Sequence, residues 1–152
     1  MKKPVTRIAF VCHGNICRSP MAEFVMKDMA KRAGREDEFY IESRATHDDE
    51  IGNDTHIGTL RVLKRCGVPF APRRATLLTR ADANAFDLFV GMDDRNIRDM
   101  RRVLGADAQD KIRLMLGFTG EARSVNDPWY TGDFESTYRD ITAGCAALLA
   151  KY

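Results

Sequence analysis

The sequence predicts an α/β fold: one doubly wound sheet of about four parallel strands, with helices on both faces. Three observations carry that expectation. Short apolar runs alternate along the chain with amphipathic segments of helical period, the pattern of a parallel sheet wrapped by helices. At least one strand run, Asp87 to Met92, is apolar almost throughout, as a strand buried on both faces requires. The chain has 152 residues, one domain's worth on the usual size prior, and no linker, repeat or low-complexity tract divides it. The expectation is a single domain over residues 1–152.

The elements follow in order. Val5 to Val11 reads as the first strand, running into Cys12. Ser19 is placed to cap a helix whose first residue would be Pro20, and Met21, Ala22, Val25, Met29 and Ala33 recur along it until Gly34. Phe39 to Ile41 is a second strand. A helix from about Thr55 to Cys66 ends at Gly67. After the Asp87–Met92 strand, Asp93 or Asp94 caps a helix running to Leu104 and stopped by Gly105. Ile112 to Leu116 is a fourth strand. Phe134 to Ala150 forms the last helix, with Tyr138, Ile141, Cys145 and Leu148/Leu149 on one stripe.

Composition narrows the function classes. Hydrophobic residues at 44% and charged residues at 30% describe a chain able to build its own core. A net charge of +2 gives no reason to expect nucleic acid or an anionic membrane as the main partner. No run approaches the ~20 apolar residues of a membrane span. The basic start Met1-Lys2-Lys3-Pro4 is followed by a run too short and too polar for a signal peptide, so a cytoplasmic location is expected. The four cysteines (Cys12, Cys17, Cys66, Cys145) and three histidines (His13, His47, His56) show no zinc-type pairing, and free thiols in a reducing compartment are the default. The basic residues are 17 Arg and 7 Lys, and Arg suits planar recognition of oxyanions.

Ligands of such folds sit beyond the carboxyl ends of the strands, which directs attention to Cys12-His13-Gly14-Asn15-Ile16-Cys17-Arg18-Ser19-Pro20. The Cys-x5-Arg spacing alone is weak: four Cys and 17 Arg in this length give about 0.45 such pairs by chance. Its setting is specific. The segment leaves a strand, carries Gly14 and Asn15 where positive φ is cheapest, and enters a helix N-terminus, so successive backbone N–H groups can turn inward around a tetrahedral oxyanion. Cys12, at a helix N-terminus and beside a guanidinium, would have its thiolate stabilised and act as a nucleophile. Arg18 can hold two phosphoryl oxygens bidentately. The Ser19 hydroxyl can donate to the sulfur as well as cap the helix. The Walker and Gly-x-Gly-x-x-Gly nucleotide patterns are absent.

The run Val11 to Glu23 closely resembles the signature of the low-molecular-weight protein tyrosine phosphatases, and Asp127-Pro128-Trp129-Tyr130 is similar to the family's second motif. Weaker similarity runs between them at Ser43 and from Phe86-Asp87 through Gly91-Met92-Asp93 to Asn96. The resemblance implies metal-free, cofactor-free hydrolysis of phosphotyrosine and aryl phosphates in two steps. Cys12 would form a cysteinyl-phosphate, the loop His13-Gly14-Asn15-Ile16-Cys17-Arg18-Ser19 would bind phosphate or other tetrahedral oxyanions, and Asp127 would be the general acid. Asn15 would hold the loop in a strained conformation with Ser43 as hydrogen-bond partner. His13, Trp129 and Tyr130 would line the substrate cleft, against the plainer readings of a core Trp and a solvent-facing His. Cys17 would be a redox partner for Cys12, or simply a packed thiol. Cys66 and Cys145 read as core residues.

The family commonly carries Ser-Ala-Gly-Thr where this chain has Ser43-Arg44-Ala45-Thr46, and an aromatic where it has His47-Asp48-Asp49-Glu50. That acidic stretch reads either as a rim that selects substrates or as a solvated charge run. Related activities remain open. An arsenate reductase of this fold would need further cysteines within Arg80 to Phe89, where there are none. A protein-arginine phosphatase would carry Thr in place of Ile16. A non-enzymatic phosphate-binding or thiol-redox module would not need Cys12, Arg18 and Asp127 together.

Overall fold

The computed structural model describes residues 4–152, and the basic Met1–Lys3 start lies outside the described residues. Strands β1 (Thr6–Cys12), β2 (Phe39–Ala45), β3 (Leu88–Gly91) and β4 (Ile112–Leu114) form one parallel sheet in the order β2-β1-β3-β4. Helices α1 (Arg18–Arg32), α2 (Ile57–Arg65), α3 (Asp94–Leu104), α4 (Pro128–Thr131) and α5 (Phe134–Lys151) connect and cover it. In this order the connection leaving β1 runs outward to β2 and the one leaving its neighbour β3 runs the other way to β4, so a crevice opens between the carboxyl ends of β1 and β3. That is the switch point at which such folds bind ligands.

The period of two along β1 divides the core into layers. Ile8, Phe10 and Cys12 join Met21, Val25, Met26, Ile141, Cys145 and Leu148, putting α1 and α5 on one face. Ala9 and Val11 join Phe89, Met100, Leu104 and Phe86, putting α3 on the other. With neighbours on both faces, every residue from Ile8 to Cys12 is buried, which explains the near-continuous apolar run.

Three local expectations are corrected. Helix α1 starts at Arg18, with Cys17 at its N-cap and no side-chain cap, so Ser19 is not the cap. Pro20 is tolerated as the third residue, within the first turn, because the first-turn N–H groups have no intrahelical partner. The fourth strand is only Ile112–Leu114, and Met115–Thr119 turns into a 3₁₀ segment. Cys66 is exposed at the C-cap of α2 and is not a core thiol, whereas Cys145 is fully buried in α5 and burial pushes its thiol pKa up. Other boundaries follow local chemistry. Asp93 caps α3 by accepting from Asn96 N at 2.8 Å, and Asn96 Oδ1 accepts from Asp93 N in return, a reciprocal cap.

Candidate active site

The last residue of β1 is Cys12, and the segment that follows folds back over it to start α1. Cys12 Sγ lies 3.4 Å from Ser19 N, which donates to it from the first turn of α1, and 3.1 Å from Ser19 Oγ. Ser19 Oγ accepts from Asn15 Nδ2 at 2.7 Å, which leaves its own proton to give to the sulfur. The site's need for that hydroxyl explains why it does not serve as a helix cap.

Asn15 is the non-glycine residue with positive φ among those described, at 58°, the left-handed region that Asn tolerates better than most L-residues. Its fully buried amide holds that turn from both ends. Nδ2 donates to Ser19 Oγ and to Ser43 Oγ (2.9 Å), and Oδ1 accepts from Thr76 N (3.0 Å) and Arg73 Nη2. Arg73 Nη1 also donates to Asn15 O at 2.9 Å. Ser43 in turn donates to Glu23 Oε1 at 2.6 Å. The loop thus has its strained residue bonded to β2, to α1 and to the segment after α2. Burial lowers the Arg73 pKa, partly offset by Glu23 and Cys12.

Arg18 is almost wholly buried below the loop. Its Nη1 donates to Asp93 Oδ2 at 2.7 Å and to Val125 O at 2.9 Å, and its Nη2 reaches Asp127 Oδ2 at 3.4 Å. Burial alone would lower the Arg18 pKa, but Cys12, Asp127 and Asp93 outweigh it and the net shift is upward. Nη1 is fully engaged by two acceptors, while Nε and the second Nη2 proton remain as donors for a bound oxyanion. Asp93 thus has two tasks, since its other oxygen caps α3.

Asp127 caps the four-residue α4, its Oδ1 accepting from Trp129 N at 3.0 Å. A cleft of about 320 Å³ opens at the sulfur, lined by Cys12, Arg18, Asp93, Asp127, Trp129 and Tyr130 among others. Trp129 is 57% exposed and Tyr130 81%, so the reading of Trp129 as a core residue is excluded. His13, Asp49 and Glu50 also line the cleft. His13 is no free loop residue: its ring stacks on His47 (centroids 3.9 Å apart) and its Nε2 lies 2.9 Å from Asp49 Oδ2. The acidic stretch is folded onto the oxyanion loop, because Thr46 N and His47 N extend the β1–β2 pairing by donating to Cys12 O and His13 O. Ile16 and Cys17 are buried under the loop with Ala75, and burial, with Cys12 and Asp127 adding, raises the Cys17 thiol pKa.

All the residues singled out from the sequence for the loop, the acid and the cleft therefore meet at one end of the sheet. Three that sequence reasoning did not pick out complete the arrangement: Asp93 on Arg18, Arg73 on Asn15, and His56, which packs on Trp129. Asp93 carried a signal in its reciprocal cap with Asn96. Arg73 sits in a loop with no periodicity and had none.

Comparisons with known proteins identify the family. The family model described as "Low molecular weight phosphotyrosine protein phosphatase" matches residues 7–152. The low molecular weight protein-tyrosine-phosphatase YfkJ of Bacillus subtilis is 37% identical over 145 residues, covering 94% of this chain and 93% of its own. PtpA of Staphylococcus aureus, of the same description, is 34% identical over 143 residues, 93% of this chain and 90% of its own. Among solved structures, the crystal structure of YfkJ superposes with a TM-score of 0.95, covering 99% of this chain and 96% of that one at 35% identity. SP-PTP of Streptococcus pyogenes gives 0.88 at 40% identity, covering 97% and 93%. The chain belongs to the low molecular weight phosphotyrosine protein phosphatase family.

Proposed function

We propose that this protein hydrolyses phosphotyrosine in proteins and peptides, and aryl phosphates, through a cysteinyl-phosphate on Cys12. The observation that carries the reading is the convergence on one sulfur: Cys12 Sγ at the floor of the cleft, the α1 N-terminus and Ser19 Oγ upon it, and Arg18 held beside it by Asp93 and Asp127.

In the first step the Cys12 thiolate attacks phosphorus. The bond from phosphorus to the phenolic oxygen breaks, and that oxygen takes a proton from Asp127. Charge on the equatorial oxygens is met by backbone N–H groups of the loop and by the guanidinium of Arg18, whose position, fixed by Asp93 and Val125 O, costs no reorganisation during the reaction. In the second step Asp127, now a carboxylate, takes a proton from water as it attacks phosphorus. The P–S bond breaks to release phosphate, and Ser19 donates to the departing thiolate. Trp129 and Tyr130 hold the phenyl ring. The branched apolar Ile16 under the loop suits a flat aryl group better than a guanidino group. Cys17 serves as resolving thiol when Cys12 is oxidised. The whole chain acts as one catalytic domain. No helix among the described residues is long and apolar enough to cross a membrane, and a cytoplasmic phosphoprotein substrate is the setting we assign.

The test is a comparison of kcat/KM on phosphotyrosine, phosphoserine and phosphoarginine substrates with EDTA present, for the wild type and Cys12→Ser. Phosphotyrosine should be preferred, vanadate should compete with it, and Cys12→Ser should lose turnover while still binding phosphate. Full activity in Cys12→Ser would remove the mechanism, and a preference for phosphoarginine would reassign the substrate.

A further inference from the structure

We propose that His56 is a positioning residue for the general acid: its imidazole fixes Trp129, and through Trp129 the direction of the Asp127 carboxyl. The proposal rests on the reading of Asp127 as the acid.

Trp129 sits in a helix of four residues, too short to hold a conformation by itself, and more than half of its surface is exposed. Yet its backbone N–H is the group that fixes Asp127 Oδ1 at 3.0 Å and so turns Oδ2 toward Arg18 and the cleft. Something must hold the indole for that hydrogen bond to keep its direction. The His56 ring meets it edge to face, with centroids 5.7 Å apart and planes at 80°. On its other side the same imidazole stacks on Phe134, centroids 5.2 Å apart and 15° from parallel.

His56 is itself immobilised at both its backbone and its ring. Its N–H donates to Ile16 O of the oxyanion loop at 2.8 Å. Its Nδ1 accepts from Gly58 N at 3.0 Å, which caps α2 and fixes the ring plane. Phe134 opens α5, and an Arg65–Glu135 ion pair ties that end of α5 to α2. Phe134 reaches the imidazole because residue 58 is glycine: a Cβ there would lie 2.4 Å from Phe134 Cζ. A continuous path of contacts therefore runs from the oxyanion loop at Ile16 through His56 and Trp129 to the Asp127 carboxyl.

The choice of residue supports this role. A helix cap alone is best made by Asp, Asn, Ser or Thr. Histidine is the side chain that supplies a cap acceptor and a flat ring with two usable faces and edges at once.

Two substitutions separate the two tasks. His56→Asp keeps a cap and removes the ring; His56→Phe keeps a ring and removes the cap. The readout is the ratio of kcat/KM for p-nitrophenyl phosphate to that for phenyl phosphate, because phenolate is the more basic leaving group and depends more on the proton from Asp127. In His56→Asp we expect phenyl phosphate to lose about tenfold more than p-nitrophenyl phosphate, equivalent to about 1.4 kcal/mol in the barrier. Inhibition by inorganic phosphate should stay within about twofold, and the melting temperature should fall no further than in His56→Phe. In His56→Phe the melting temperature should fall while the ratio stays near that of the wild type. An unchanged ratio in His56→Asp, or a ratio that follows melting temperature across the two variants, overturns the proposal. Asp127→Ala run alongside distinguishes the two levels. If it raises the ratio and His56→Asp does not, the positioning role alone fails; if it leaves the ratio unchanged, the acid assignment fails and the proposal with it.

Discussion

Replacing Asn15 with alanine removes a side chain with 0% of its surface exposed and four hydrogen bonds: two donated, to Ser19 and Ser43, and two accepted, from Thr76 N and Arg73. A neutral intramolecular hydrogen bond contributes about 1 kcal/mol net, and one to a charged group about 1.5–3 kcal/mol. Alanine at φ 58° adds a backbone cost of about 1 kcal/mol relative to asparagine. Thr76 is exposed and can find water in place of the amide, and Ser43 keeps Glu23, so part of the loss is recovered. A destabilisation of about 4 kcal/mol is expected, a large share of the 5–15 kcal/mol typical of a domain. Asn15→Gly loses the same bonds but keeps the backbone, so it should be about 1 kcal/mol more stable than Asn15→Ala. Equilibrium urea denaturation measures both, and the inhibition constant of inorganic phosphate reports whether the loop keeps its shape. An Asn15→Ala protein within about 1 kcal/mol of the wild type, or a glycine variant less stable than the alanine one, would refute the view that this amide holds the turn.

Asp127→Ala should slow phenyl phosphate turnover by a factor on the order of 10²–10⁴ while phosphate inhibition changes far less; equal effects on both would remove Asp127 as the acid. Gly58→Ala places a methyl group into the Phe134 ring. The overpacking cost of about 1–3 kcal/mol exceeds a helix-propensity gain of at most about 1 kcal/mol, so the melting temperature should drop by about 2–4 °C or more, and a rise would contradict the packing described. Mild peroxide should oxidise Cys12 to its sulfenic acid; the Cys17 sulfur then attacks the Cys12 sulfur, the S–O bond breaks and the hydroxyl leaves as water, forming a disulfide. Mass spectrometry should show the Cys12–Cys17 link, and sulfinic acid accumulating on Cys12 would count against Cys17 as the resolving thiol.

Much of the site was legible in the sequence because it is local. Cys12 to Ser19 is a contiguous run between a strand and a helix, so its spacing together with that setting puts a thiol, an arginine and a set of backbone N–H groups around one point. Asp127 was legible only through the family resemblance of Asp127-Pro128-Trp129-Tyr130 taken together with the Cys12–Ser19 run, since an Asp-Pro pair by itself marks a turn. The two-faced burial of β1 and the helix stripes were likewise written in residue periods, and the sheet followed from them.

The tertiary structure decided what depends on residues distant in the chain. Ser19 has the sequence character of a helix cap, yet its hydroxyl is claimed by Cys12 and Asn15 and the helix starts earlier. Cys66 lies in a helical pattern, but its position at the end of α2 faces solvent. Asp49 and Glu50 read from the sequence more readily as a solvated run than as a substrate-selecting rim, yet the β1–β2 pairing carries them to the cleft. Arg73, Asp93 and His56 lie 58, 75 and 73 residues from their contacts Asn15, Arg18 and Trp129. No local period records such pairings. They arise where the crossing of a parallel sheet gathers four separate loops at the carboxyl ends of its strands, and there the sequence determined the chemistry of the nucleophile while the fold decided which side chains hold it.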